Sequence, residues 1–229
     1  MTESNTFKTR SGKAEQTRGA IVDTAMRLFR QDGYDRTTMR AIAQAAGVSV
    51  GNAYYYFGSK EHLVQAFYDQ LQVEHAEAAT QVLDGEKSFA ARLEGVLLAW
   101  LDVAAPHHAF AAQFFKNAAD PASPLSPFSD ESTAAREASV ALFATLLEGS
   151  DAKVAPALRQ ELPELLWLLQ MGVVLFWVYD DSAGQERSRT LVTRVVPIVD
   201  RLVRLARLPV VRGVVDDVVG LVAELRSPS

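Results

Sequence analysis

The chain of 229 residues contains no cysteine. Disulfides, thiol nucleophiles and cysteine-ligated zinc are therefore excluded, a usage compatible with a reducing cytosol. Proline is sparse, at 9 residues, and the 13 glycines are scattered, so long helices are open to this chain. Long apolar runs are missing as well. The longest, Leu165 to Tyr179, is interrupted by Gln170 and falls short of the ~20 residues a membrane span needs. The opening Met-Thr-Glu-Ser-Asn-Thr has neither the basic start nor the apolar run of a signal peptide. A soluble cytoplasmic protein with no membrane partner is expected.

Signatures of catalysis are also absent. No Gly-x-Ser-x-Gly elbow, phosphate loop or dinucleotide fingerprint occurs, which predicts no enzyme and no cofactor. The four histidines give no metal-ligand spacing: His62 and His75 stand far from the His107-His108 pair. Adjacent residues on a helix point about 100° apart, so His107 and His108 are expected on a surface or at a helix end.

What is present is an uneven charge. The whole chain carries a formal −5, which alone argues against a nucleic-acid partner. Residues 1–60, however, hold nine Lys/Arg against five Asp/Glu, a surplus of four positive charges that leaves −9 on the remainder. A basic head on an acidic body orients a molecule toward phosphate.

The most informative stretch is 37–57. Thr37 is read as the N-cap of a short helix, because a threonine oxygen can accept a free first-turn amide. Met39, Ile42, Ala43 and Ala46 follow at i, i+3, i+4 and i+7, one apolar face. Gly47 suits the left-handed stop of that helix. Ser49 restarts the chain as the next N-cap, and Ala53 and Phe57 form the buried side of a second helix. Small residues (Ala43, Ala46, Ala53) let the two helices cross closely. Outward on the second helix lie Val50, Gly51, Asn52, Tyr54 and Tyr55, an amide, two phenols and an apolar tip with no full charge. Such a mixture suits an element in a DNA major groove, where an amide reads base edges, a valine meets a thymine methyl and phenols hold phosphates. The pattern predicts a helix-turn-helix with Ser49–Tyr56 as recognition helix. The other reading is an ordinary helical corner.

The motif Thr38-x-x-x-Ile42-Ala43-x-x-Ala46-Gly47-Val48-Ser49-x-Gly51-x-x-Tyr54-x-Tyr56-Phe57-x-Ser59-Lys60-Glu61-x-Leu63 resembles the TetR family of bacterial transcriptional repressors. The resemblance runs from about Ala20 to about Phe67; beyond it the chain is similar only in length and helical pattern. Many members of that family carry a basic residue where this chain has Val50. The resemblance implies Ser49, Val50, Gly51 and Asn52 near bases, and Thr38, Arg40, Tyr54, Tyr55 and Lys60 at the DNA backbone. It also implies a ligand cavity in the body, a dimer built on the paired penultimate helices, and double-stranded operator DNA as partner.

Along the rest of the chain, residues 1–12 are polar and aperiodic and are expected to be a disordered tail. Lys8, Arg10 and Lys13 there are either an arm toward DNA or part of a solvated tail. A helix from about Ala14 to Asp32, striped with Ile21, Val22, Ala25, Leu28 and Phe29 and stopped by Gly33, completes a three-helix headpiece over 13–59. The body, 60–229, begins with a long helix capped by Ser59 and ending near Asp84-Gly85. Further helices are predicted at about 88–104, 107–118, 130–147, 163–179, 185–208 and 211–225, with a proline- and serine-rich loop over 120–129 and a kink at Pro197. The fold class is thus all-α, with about nine or ten helices and no strand.

The run at 163–181 is apolar on all sides and must be covered everywhere. Paired with 185–208 it is expected to form a homodimer interface, which a two-fold operator also demands; a central core helix is the other reading. Apolar walls with few polar groups make a small-molecule pocket. The residues available are Trp100, Phe110, Phe114, Trp167, Met171 and Phe176, with Gln113, Asn117, Gln170 and His107 or His108 as polar contacts. Each of these is equally readable as plain core, and the effector is unspecified. A ligand-responsive repressor is the expected function; the rival is a helical small-molecule-binding protein or enzyme that uses the corner only structurally.

Overall fold

The computed structural model describes residues 3–118, 120, 123–208 and 210, with isolated positions at 213, 217 and 220. Side chains are described from Gly12 onward, except at 110, 113, 114, 116, 117, 157 and the undescribed C-terminal positions. The helix expected over 211–225 lies outside the described residues. Among them there are ten α-helices, two 3-10 turns and no strand, as the periodicity predicted.

The chain divides into two compact units, residues 1–70 with 109–133 and residues 71–108 with 134–229. The headpiece was expected to end at 59; the division into units falls at 70/71. The division falls inside one continuous helix, because the apolar stripe beginning at Leu63 and Val64 runs on without a break residue until Gly85.

In the first unit, α1 (Glu3–Asp32) begins at Glu3. Residues 3–12 thus extend the helix where a disordered tail was expected. No proline interrupts them, and a helix already nucleated grows by one hydrogen bond per residue fixed. Ile21, Val22, Ala25, Met26 and Phe29 are its buried side, and Gly33 (φ 88°) stops it. Next come α2 (Met39–Ala45) and α3 (Val50–Tyr56), then α4 (Lys60–Gly85). Thr37 is not the cap of α2. Buried, it donates its hydroxyl to the Gly33 carbonyl at 2.8 Å, and Thr38 caps instead, accepting from the Ala41 amide at 3.2 Å. Two threonines in sequence compete for the cap, and the one facing the end of α1 is drawn inward. The unit also holds α6 (His108–Ala118), apart from its first residue, and the following loop. In that loop the Ser126, Ser129 and Ser132 amides each donate to the carbonyl three residues back. Hydroxyls of Ser123, Ser126 and Ser129 accept nearby amides. These linked turns hold the backbone out of a helix until Thr133, three residues later than expected.

The second unit contains α5 (Phe89–Ala104), α7 (Thr133–Glu148, from Ala134), α8 (Pro156–Arg159), α9 (Leu162–Val178) and α10 (Glu186–Leu205). The single-turn α8 was not expected. Two prolines seven residues apart, Pro156 and Pro163, each start a helix, since a first-turn proline sacrifices no hydrogen bond. α10 packs on α5 and on α9. α5 is capped by Ser88 and buries Phe89, Leu93, Val96, Leu97 and Leu101.

Two buried charges tie this unit together. Arg92 is 3% exposed and donates to four carbonyls, those of Leu83 (2.8 Å) and Glu86 (2.6 Å) at the end of α4 and of Thr145 (3.2 Å) and Leu146 (2.9 Å) near the end of α7. Helix C-termini carry partial negative charge, so two helix ends take the place of a carboxylate. Asp180, just after α9, accepts from the amide and hydroxyl of both Ser182 (3.0 and 2.6 Å) and Ser188 (2.8 and 2.7 Å). It thereby joins α9 to α10 across the left-handed Gly184 and Gln185. Burial alone would raise its pKa, but the Ser182 and Ser188 donors bring it down to about 2.

A carboxylate depressed on folding stabilises above its unfolded value, near 3.9, and that contribution disappears as pH falls through about 2. Asp180→Asn should therefore cost about 2–3 kcal/mol at pH 7. Thermal melts of wild type and variant should converge between roughly pH 4 and pH 2. A gap in melting temperature that stays constant down to pH 2 would show that the charge contributes nothing.

Candidate functional site

The corner between α2 and α3 is held by backbone bonds. Gly47 sits at φ 69°, the Val48 amide reaches the Ala43 carbonyl at 3.0 Å, and the Gly47 amide reaches that of Gln44 at 3.2 Å. Both bonds satisfy carbonyls that the end of α2 would otherwise leave open. Ser49 then caps α3, its oxygen accepting from the Asn52 amide at 3.1 Å. Ala43 and Ala53 are fully buried where the helices meet, and Phe57 anchors the end of α3. The Arg18 guanidinium of α1 stands 5.3 Å over the Phe57 ring.

With the inner side so fixed, the outer side of α3 follows. Tyr55 is 82% and Tyr54 52% exposed; Val50 and Gly51 are exposed and Asn52 half-buried. Thr38, Arg40 and Ser49 are exposed beside them. Gln44, one turn beyond Arg40 on the same face of α2, is exposed too. It was missed, although its i+4 spacing from Arg40 was a sufficient signal. Lys60 is more engaged than the sequence implied. Its Nζ donates to the Tyr34 carbonyl at 2.7 Å and lies 4.3 Å from the centre of the Tyr34 ring. The Tyr34 hydroxyl in turn donates to Glu61 at 2.9 Å. Burial would raise the Glu61 carboxyl, but donors from Ser59, its own amide and Tyr34 hold it below the usual range. Tyr34 is thus what joins the end of α1 to the start of α4.

In the second unit, Trp167 and Gln170 are buried, Trp100 and Met171 are half-buried, and the Trp100 and Trp177 rings meet edge to face at 5.2 Å. Phe176, offered as a pocket wall, instead faces outward. It lies one position before the buried Trp177, and adjacent helical residues cannot share a face. The side chains of Phe110, Phe114, Gln113 and Asn117 lie outside the described residues. The His108 ring packs against Trp177 at 4.8 Å and its Nε2 pairs with the Trp177 carbonyl at 2.8 Å, near the end of α9. Two buried groups were not foreseen as site residues, His75 on α4 and Trp177 on α9. His75 Nε2 lies 3.0 Å from the Val96 carbonyl, and burial lowers its basicity against the opposing effect of that bond. Among the described residues, no three His, Asp or Glu side chains are placed to share a metal. No described helix is long and apolar enough to cross a membrane.

Residues 21–67 match the family described as "Bacterial regulatory proteins, tetR family", and residues 92–221 match "Tetracyclin repressor-like, C-terminal domain". The second match alone spans more than half of the chain. This chain belongs to the TetR family. The regulator TtgR of Pseudomonas putida is 43% identical over 63 residues, 28% of this chain and 30% of that one. The repressor KstR2 of Mycobacterium tuberculosis is 30% identical over 103 residues, 43% of this chain and 50% of its own. The matched stretches thus span 30% and 50% of these relatives. A TetR-family regulator from Syntrophomonas wolfei superimposes with a TM-score of 0.64 at 16% identity, covering 81% of this chain and 95% of that one. Thermus thermophilus FadR, a TetR-family repressor in complex with lauroyl-CoA, superimposes at 0.56 and 22% identity over 79% and 93%. Identities this low speak to the fold, which is the TetR fold.

In this TetR-family chain the cap at Ser49 sets where α3 begins. Ser49→Ala should cost about 1 kcal/mol, a melting temperature lower by roughly 2–4 °C, while Ser49→Asp, which also caps, should melt like wild type. Identical melts for all three proteins would separate Ser49 from the start of α3.

Proposed function

We propose that the protein is a ligand-responsive transcriptional repressor that acts in the cytoplasm as a homodimer on a palindromic DNA operator. The observation that carries this reading is the uncharged outer face of α3, with Val50, Asn52, Tyr54 and Tyr55 turned outward on a corner fixed by Gly47 and Ser49. Ser49, Val50, Gly51 and Asn52 meet base edges, while Thr38, Arg40, Tyr54 and Tyr55 approach phosphate and sugar. Lys60 contributes the protons of its Nζ that Tyr34 does not take. Repressors among the relatives, such as KstR2, favour repression over activation.

Dimerisation is supported by apolar residues left uncovered on the two helices singled out for it. Leu168 and Leu175 on α9, seven residues apart, and Phe176 beside them are exposed; so are Ile198, Leu202 and Leu205 on α10, at i, i+4 and i+7. A helical stripe of this kind on a soluble protein is a surface awaiting a partner, and a second copy supplies the two-fold symmetry that an operator requires. Within the second unit the effector is then housed against Trp100, Trp167, Gln170 and Met171. The lauroyl-CoA held by the Thermus thermophilus protein supports an apolar or amphipathic effector. Its binding favours a dimer arrangement whose headpieces no longer fit two successive major grooves.

Fluorescence anisotropy on duplex DNA tests the DNA reading. Binding should weaken steeply as salt rises. Tyr55→Ala should lose about ten-fold on every sequence alike, whereas Asn52→Ala should lose base preference as well. Salt-insensitive binding, or equal losses for both variants across a mutated operator series, would return α2 and α3 to a structural corner. Leu202→Glu, placing a charge in the exposed stripe, should convert the dimer to a monomer in light scattering and lower operator affinity at least ten-fold; an unchanged dimer would move the interface elsewhere.

A further inference from the structure

The second unit satisfies some of its buried polar groups and leaves others open. Arg92 and Asp180 each have four partners. By contrast His75 Nδ1, Gln170 Oε1 and Trp177 Nε1 are buried without any hydrogen bond. Their residues are 0%, 2% and 3% exposed. Each such atom costs about 1–3 kcal/mol relative to a paired one, and leucine, methionine or phenylalanine would remove the cost at similar volume.

The three belong to one region of the fold. Gln170 and Trp177 are seven residues apart and share a face of α9. Trp177 meets Trp100 of α5 edge to face. Within α5 the Val96 carbonyl is the one directed at the turn of Trp100, and it is this carbonyl that His75 of α4 engages. Trp100 thus lies one helical turn from the carbonyl that His75 engages and itself meets Trp177. With Nε2 donating to the Val96 carbonyl, Nδ1 of the neutral ring is a bare acceptor, and burial lowers the basicity of that ring. Trp177 Nε1 is a donor only, and the Gln170 amide offers either role by rotation.

From this we infer that His75, Gln170 and Trp177 are the polar recognition groups for an uncharged, ring-bearing effector that carries at least one O–H or N–H donor and one carbonyl-type acceptor. The inference rests on the effector-binding body proposed above and narrows its chemistry. The ring requirement comes from the Trp100, Trp177 and His108 faces gathered at the end of α9. The absence of charge comes from the neighbouring ionisable groups: Arg92 is saturated by carbonyls and Asp180 by serines, and Arg189 is paired with Asp102 of α5. The His108 Nε2 is taken up by the Trp177 carbonyl, and Glu161 lies nine residues before Gln170, about 13 Å along the helix. A carboxylate buried here would meet no counter-charge and would lose its hydration.

Isothermal titration of the full-length dimer with three benzophenones tests this. 4-Hydroxybenzophenone has both donor and acceptor, 4-methoxybenzophenone lacks the donor, and 4-benzoylbenzoate adds a charge. The hydroxy compound should bind at least about ten-fold more tightly than either control. Gln170→Leu and His75→Phe should each bring it to the level of the methoxy ether. The effector-free Gln170→Leu protein should melt at or above the wild-type temperature, since an unpaired polar group is removed. Three equal affinities, no binding of the hydroxy compound, preference for the carboxylate, or a clear drop in the melting temperature of Gln170→Leu would each overturn the inference. Duplex binding by the effector-free proteins, followed in parallel, separates the two readings. If DNA is bound while the probes are not discriminated, only the inference falls; if the probe pattern holds without DNA binding, the repressor reading falls instead.

Discussion

The contact on which the reading surface depends is the meeting of α2 and α3 at Ala43 and Ala53. Both are fully buried, and neither has a side chain beyond Cβ to hold the backbones apart. That closeness leaves no room for a loop, so the chain must reverse within Gly47, Val48 and Ser49. A left-handed residue is then compulsory, and only glycine adopts it without cost. Ser49 must cap at once because α3 begins at the next residue. Everything outward on α3 follows in phase: with Ala53 inward, Tyr54 and Tyr55 point away at successive 100° steps. A larger residue at 43 or 53 would change the crossing first, and the aim of the tyrosines with it.

Local chemistry made this part of the molecule legible before any coordinates. Caps, stops and small residues act over four or five positions, and sequence displays them directly. Even so, Thr37 and Thr38 could not be told apart from spacing, because the choice depends on where the end of α1 lies in space. The same limit explains the larger misses. Nothing within a few residues of Tyr34 announces that it will bridge to Lys60 and Glu61, 26 and 27 positions on. Phe176 read as a wall because the run around it is apolar on every side, and in such a run periodicity cannot say which face is inside. Only the exposure of Leu168, Leu175 and Phe176 against the burial of Trp167, Gln170 and Trp177 resolves it.

Arg92 and Asp180 were illegible for a related reason. An arginine on the apolar side of α5 reads as an exception, and its partners are carbonyl oxygens that every sequence possesses. Their positions depend on α4 and α7 ending side by side. Gly149 records that arrangement: a Cβ there would collide with the Arg92 guanidinium, which four hydrogen bonds hold in place. Asp180 sits in an Asp-Asp-Ser-Ala-Gly stretch that is recognisable as a turn, but the reach to Ser188 makes it a joint between two helices rather than a loop. In both cases the charge is matched by local dipoles, which allows burial without an ion pair.

That matching gives the open atoms their meaning. A unit that supplies four partners to each of two buried charges is under no general constraint that forces polar groups to go unpaired. If the effector proposed above occupies this region, the open atoms of His75, Gln170 and Trp177 set a free-energy difference between the empty and the occupied state. An occupant that pairs those atoms relieves the cost of leaving them unpaired, and α4, which carries His75, is one continuous helix from Lys60 to Gly85. Its first turn holds the Lys60 and Glu61 contacts to Tyr34. Differential pairing at His75 is the kind of state-dependent interaction an effector needs in order to shift an equilibrium rather than merely bind.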